Sequence, residues 1–146
     1  MTDTPQAFLN AAADLLGPRG LIRDAELVAP WLTDWRGRYT GRALALAAPE
    51  DVQELAALVR LCVQHGVPMV PQGGNSGMSG GATPDSSGSA LLISLRRMNA
   101  IGPVDTAGRK VICGAGVVLQ TLHDTSEAAG LRFPLTLGGK GSATVG

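Results

Sequence analysis

The chain has 146 residues and equal numbers of Lys plus Arg (12) and Asp plus Glu (12), so no net field draws it toward nucleic acid or an anionic bilayer. Hydrophobic types make up 45%, enough for one ordinary domain with a core, while aromatics are only 3% and glycines number 20, about twice the usual share of ~7%. No apolar run approaches the ~18 residues that span a bilayer, and "MTDTPQAFLN" lacks a secretion signal's cationic start and apolar stretch, so the expected location is cytoplasmic.

Thr4 reads as an N-cap before Pro5, and Phe8, Ala12, Leu15 and Leu16 then recur at helical spacing until Gly17 stops the run. Residues 18–42 hold both tryptophans and the only tyrosine without a clear period, and are expected to be ordered but irregular. "ALALAA" (43–48), ended by Pro49, reads as a short buried strand. A helix follows, with Val52, Leu55, Ala56, Val59, Cys62 and Val63 on its inward face. Glu50, Asp51 and Glu54 sit at its start, Arg60 and His65 toward its end, and Gly66 is the stop. "VPMVP" (67–71) completes a strand–helix–strand unit of parallel type, and "ALLIS" (90–94) is a further buried strand. "KVICGAG" (110–116) is expected to be another strand. "VVLQTLHDTSEAAG" turns helical, with Val118, Leu119, Leu122 and Ala129 inward and Gly130 as the stop.

The segment "VPQGGNSGMSGG" (70–81) carries five glycines and no charge directly after a buried strand. Such a loop lies at the carboxyl edge of a parallel sheet, where open α/β folds bind ligands. Glycines at 73, 74, 77, 80 and 81 free the backbone to converge its N–H groups on an anion, or simply to turn between strands, and composition alone does not choose. Neither G-x-x-x-x-G-K-[ST] nor G-x-G-x-x-G occurs, which removes the P-loop and Rossmann readings. The chain stops within a second glycine-rich stretch, "LGGKGSATVG", and so reads as a piece of a longer protein.

The pattern Val70 to Gly81 resembles the pyrophosphate loop of FAD-linked oxidases of the vanillyl-alcohol oxidase and p-cresol methylhydroxylase (PCMH) type. "APEDVQELAALVRLCVQHGVPMVPQGGNSG" is similar to that family's first βαβ unit, while "FPLTLGGKGSATVG" and "TDWRGRYTGR" resemble blocks of its D-2-hydroxyacid dehydrogenase branch. The resemblance, over about residues 30 to 146, implies an α+β fold. Residues 1–42 would form an N-terminal helix and irregular segment, 43–100 a first FAD-binding subdomain, and 101–146 the start of a second.

It also implies non-covalent FAD, with the loop Gln72, Gly73, Gly74, Asn75, Ser76 and Gly77 cradling the pyrophosphate, Met78 and Gly80 behind it, and Pro71 also at the cofactor. From the second stretch, Pro134, Leu135, Gly138, Gly139, Gly141, Ser142 and Gly146 would line the cofactor, with hydroxyls of Ser76 and Ser142 as donors. Some relatives attach flavin through a histidine directly after the paired glycines, where this chain has Asn75. The implied reaction is oxidation of a D-2-hydroxy acid (D-lactate, D-2-hydroxyglutarate or glycolate) to the 2-oxo acid. Electrons would pass to a quinone, a cytochrome or an electron-transfer flavoprotein, which admits a place on the periphery of the inner membrane. Catalytic and metal-binding groups would lie beyond Gly146, leaving this piece inactive by itself and prone to self-association at its cut surface. The same domain also serves a UDP-sugar enolpyruvate reductase and alcohol oxidases, and a non-catalytic nucleotide-binding module is the reading from another class.

Several residues keep two readings. Arg36, Arg38 and Arg42 reach a substrate carboxylate or pin a loop over Trp31 and Trp35. Lys140 offsets phosphate charge or is an exposed loop lysine, and Met78 touches the flavin or fills a gap. His65 and His123 are expected at the surface or as caps, and Cys62 and Cys113 as small buried hydrophobes rather than a disulfide.

Overall fold

The computed structural model describes residues 4–146. Four short strands form one sheet: β1 (Leu21–Ile22), β2 (Ala45–Ala47), β3 (Met69–Gln72) and β4 (Leu91–Ser94), in the order β1-β2-β4-β3. β4 is central and parallel to both neighbours, with Leu92 opposite Leu46 on one side and Val70 on the other. β1 adds antiparallel to β2. β3 is an edge strand, which explains how Pro71 can sit within it without leaving a ladder bond unmade.

Side-chain alternation sends β4 to two faces. Leu91 and Ile93 join Ala45 and Ala47 beneath helices α1 (Thr4–Gly20) and α3 (Val52–His65), in a core that includes Phe8, Ala12, Leu58 and Cys62. Leu92 and Leu46 point the other way, to Val28 and Trp31. Residues 18–42 are therefore less irregular than their sequence suggests: they contain β1, helix α2 (Ala25–Val28) and a 3-10 turn (Ala29–Trp31), and they cover the second face.

α1 kinks at Gly17, whose φ of +67° ends the regular run before Pro18. The capping role expected of Thr4 lies outside the described side chains. In α3 Asp51 caps the Glu54 amide and the Glu54 carboxylate returns to the Glu50 amide, a reciprocal box, while Gly66 ends the helix at φ +65°. Its inward face differs from the expected one. Leu58 and Cys62 are buried, whereas Val52 and Val63 are 64% and 69% exposed, because apolar residues run almost round this helix and spacing cannot fix its phase.

The second part of the chain packs a smaller cluster of Val117, Leu119 and Leu122 with Ile101, Val111, Cys113 and Phe133. "KVICGAG" is not a strand. It has the alternation, with Val111 and Cys113 turned in and Ile112 exposed, but its pairing reduces to isolated bridges, Ile101 with Cys113 and Asp105 with Lys110. Helix α4 (Leu119–Ala128) buries Leu119, Leu122, His123 and Ser126, with Val118 and Ala129 at its caps rather than on its inward face. His123 is thus not a surface residue. Its Nε2 lies 2.8 Å from the Leu135 carbonyl and its ring meets Phe133 edge-on. His65, partly buried, packs edge-on against Phe8. Both cysteines are free thiols, Cys62 wholly buried and Cys113 partly so; burial pushes the Cys62 thiol up to about 11.

Replacing Leu58 by Ala is expected to cost about 2–5 kcal/mol of unfolding free energy, and Val63 by Ala less than about 0.5. Denaturant titration of the two variants checks the orientation of α3, and equal losses would contradict it.

Candidate functional site

The loops after β3 and β4 leave the same edge of the sheet. The first, 73–81, turns back against the last residues of the chain. A Cβ on Gly74 would lie 1.8 Å from the Ser142 carbonyl oxygen, and one on Gly73 would meet the Thr144 hydroxyl and the Gly146 carbonyl. Only glycine permits main chain to touch main chain here. The far side of the contact is held by α4 and its neighbours: the Leu119 and Gln120 amides donate to the Ala143 and Lys140 carbonyls, and the Val145 and Gly146 amides donate to Val117 and Ala115.

Backbone polarity is sorted at this junction. Among the described residues, no amide from Gly74 to Ala82 donates to a protein acceptor, and neither does any from Arg132 to Gly141. None of these residues is buried, so their N–H groups are left to water or a ligand, and where Ser76 and Met78 share a cavity with Leu137–Gly139 they are available to an anion. Asn75 contributes to the turn with φ +52°, a left-handed conformation that asparagine tolerates, and its Nδ2 donates to the Thr33 carbonyl at 2.9 Å.

A cavity of about 500 Å³ opens between the loops, lined by Trp35, Arg36, Ser76, Met78 and the stretch Leu137–Gly139, with Ser142 and Ala143 at its base. A second, of about 480 Å³, lies on the other side of Ser142 between Arg96, Asn99, Val117, Thr121, Gly141 and Thr144. Each wall carries an arginine and neither carries a carboxylate. Trp35 and Arg36 reach the first cavity because buried Asp34 shapes their loop. Its carboxylate accepts the amides of Arg38 (2.7 Å), Tyr39 (2.8 Å) and Arg36 (3.3 Å), and these bonds, Tyr39 foremost, hold its pKa below the ordinary carboxylate value. Gly80, at φ +74°, lies against the Tyr39 ring.

The expected site residues separate into groups. Ser76, Met78, Gly138, Gly139 and Ser142 meet at the first cavity, and Gly141 lines the second. Gly73, Gly74 and Gly146 form the backbone contact, whereas Gly77 has open space around it. The Gln72 side chain is buried behind the loop, donating to the Trp31 and Ala82 carbonyls while its Oε1 has no partner. Pro71 is exposed on β3. Pro134 lines a different cavity beside Arg109, Lys110 and Arg132, and the Leu135 carbonyl is taken by His123. The Ser142 hydroxyl donates to the Gly139 carbonyl within its own loop. Arg36 lines the first cavity; Arg38 flanks a groove with Tyr39 and Asp85, and Arg42 lies beside Gly88. The Lys140 side chain is partly buried.

Sequence reading passed over Arg96 and Arg97. They come one residue after the central strand, and each reaches the segment just past a flanking one: Arg97 donates to the Ala48 carbonyl (2.7 Å) and pairs with Glu50 (2.6 Å), while Arg96 donates to the Gly73 and Gly74 carbonyls. Two cations at the carboxyl end of a buried strand were the available signal.

Gly74→Ala is expected to cost about 1–3 kcal/mol or more by forcing the loops apart, while Gly77→Ala stays within about 0.5. Thermal or denaturant unfolding of both checks the contact, and a neutral Gly74→Ala would contradict it.

Residues 43–146 match the family model described as an FAD binding domain. The probable mitochondrial D-2-hydroxyglutarate dehydrogenase of Oryza sativa subsp. indica is 35% identical over 132 residues, 90% of this chain and 23% of that protein. The chain thus spans about a quarter of the curated relatives it matches. Among solved structures, an alkyldihydroxyacetonephosphate synthase superposes with a TM-score of 0.85 at 22% identity, over 97% of this chain and 28% of that one. p-Cresol methylhydroxylase with substrate bound gives 0.78 at 18%, over 97% and 28%. The fold is that of the PCMH-type FAD-binding domain, and the glycine-lined junction with its free amides and acid-free walls suits that cofactor's pyrophosphate. The chain belongs to the FAD-binding domain family.

Proposed function

We propose that the chain is the FAD-binding part of a flavin-dependent dehydrogenase that oxidises a D-2-hydroxy acid, D-2-hydroxyglutarate first, to the 2-oxo acid. The observation that carries this reading is the meeting of two bare backbone stretches, 73–78 and 138–146, around a cavity with free amides and no carboxylate. The rice relative's name supplies the substrate, and D-lactate and glycolate are its competitors.

In this reading the amides from Gly74 to Met78 hold the pyrophosphate, because converging N–H dipoles compensate its charge without the mobility of a lysine side chain. Arg36 and Arg96, one in each cavity wall, add long-range attraction. Trp35, Met78 and Leu137 give the first cavity an apolar wall that suits a flat ring and excludes water. Bound FAD supplies the two-electron oxidation of the carbinol carbon, and the chain's residues orient it. In this reading the proton-accepting and carboxylate-binding groups are supplied from outside this chain, which spans about a quarter of the relatives' length. A quinone, a cytochrome or an electron-transfer flavoprotein is the electron acceptor.

The gene's full product is expected to show a flavin spectrum that D-2-hydroxyglutarate bleaches under anaerobic conditions and its L enantiomer does not. Faster bleaching by D-lactate or glycolate would move the substrate within the class; no bleaching by any hydroxy acid would end the proposal. Asn75 offers a carboxamide already bonded to Thr33 in place of a nucleophilic imidazole, so the cofactor is held without a covalent bond. Acid precipitation is expected to leave the yellow colour in the supernatant, and colour retained in the washed pellet would contradict this.

A further inference from the structure

We infer that Arg96 is a positioning residue that sets the direction of the Gly74 and Asn75 amides toward the cofactor's pyrophosphate, an inference that rests on the FAD-site reading above. The Arg96 Nε donates to the Gly73 carbonyl (3.3 Å) and its terminal nitrogen to the Gly74 carbonyl (3.2 Å). One planar guanidinium therefore grips two successive carbonyls. Every peptide bond described is trans, and in a trans peptide the carbonyl of one residue and the N–H of the next point in opposite directions. With the Gly73 and Gly74 carbonyls both drawn to Arg96, the N–H groups of Gly74 and Asn75 must both point away from it. Two consecutive donors are thereby aligned side by side, an arrangement that an extended strand, with its alternating peptides, cannot give.

The guanidinium is itself fixed. It lies 4.8 Å from the centroid of the Trp31 ring, and Trp31 is tied to the end of β3, from which the loop leaves, through its carbonyl, which accepts from Gln72. On the loop's other flank, the Asn75 side chain anchors its left-handed turn to Thr33. The loop is held at three points of its own backbone or side chains while its amides stay free. Its glycines would otherwise sample many conformations, and aligning donors before binding reduces the ordering cost that binding must offset. Arg96 also contributes its charge from behind the same peptides, so its effect on an anion adds to that of the dipoles it orients.

The test uses the gene's full product stripped of cofactor, with Arg96→Ala, Arg96→Lys and Arg97→Ala, and measures melting temperature together with the dissociation constants of FAD and ADP by equilibrium dialysis. Arg96→Ala is expected to weaken both ligands by about 10- to 100-fold per folded molecule. Arg96→Lys should recover part of this, since an ammonium can reach a carbonyl but cannot fork across two or stack on Trp31. Arg97→Ala, which frees Ala48 and Glu50 on the other flank of β4, should lower the melting temperature and leave both affinities unchanged. Arg96→Ala binding FAD and ADP within about twofold of the parent would overturn the inference. So would equal losses for the Arg96 and Arg97 variants, which would mark a general structural effect. If Arg96→Ala does not fold, Arg96→Lys is read alone, and parent-like affinity there overturns the inference. A parent protein that binds neither FAD nor ADP would remove the FAD-site reading itself, and the inference with it.

Discussion

Two lengths of main chain touch at Gly73–Gly74 and Ser142–Gly146, and they can do so only because no β-carbon stands between them. This contact holds the ligand loop against the second part of the molecule and forms the floor from which both cavities open. It accounts for Gly73 and Gly74 among the chain's 20 glycines. A side chain at Gly74 would displace a backbone carbonyl, which has far less freedom to yield than the tip of a flexible side chain.

The sheet exists, in this account, to present that contact. A central strand parallel to both neighbours brings the ends of β2, β3 and β4 to one edge, and the two arginines after β4 hold the flanking ends in place. Burial on both faces fixes the register, since Leu91 and Ile93 are committed to the helices and Leu92 to the Val28–Trp31 side. The stability of the core thus bears on the ligand edge through a few side-chain hydrogen bonds, those of Arg96, Arg97 and Gln72.

What was legible in the sequence had either strong punctuation or a strong resemblance. Pro49, Gly66 and the glycine run bracket β2, α3 and β3 closely, and the glycine-rich segments are the ones that meet. The face of α3 was misread because Leu55, Ala56, Ala57, Leu58, Val59, Leu61 and Cys62 leave few polar positions to set the phase. His123 looked like a polar surface residue, but the Leu135 carbonyl satisfies its ring nitrogen and lets it be buried. Residues 110–116 carry strand chemistry without an adequate partner, and pairing is a property of two segments that one cannot announce. For Arg96 the sequence offers only its place after a buried strand, because the carbonyls it grips lie 22 and 23 residues away.

The most direct measurement of the central claim is a crystal structure of the gene's full product with FAD bound. The account predicts pyrophosphate oxygens within about 3 Å of backbone amides in the 74–78 turn, with the 138–142 stretch across from them. A pyrophosphate held elsewhere by side chains alone, with those amides turned to solvent, would contradict it.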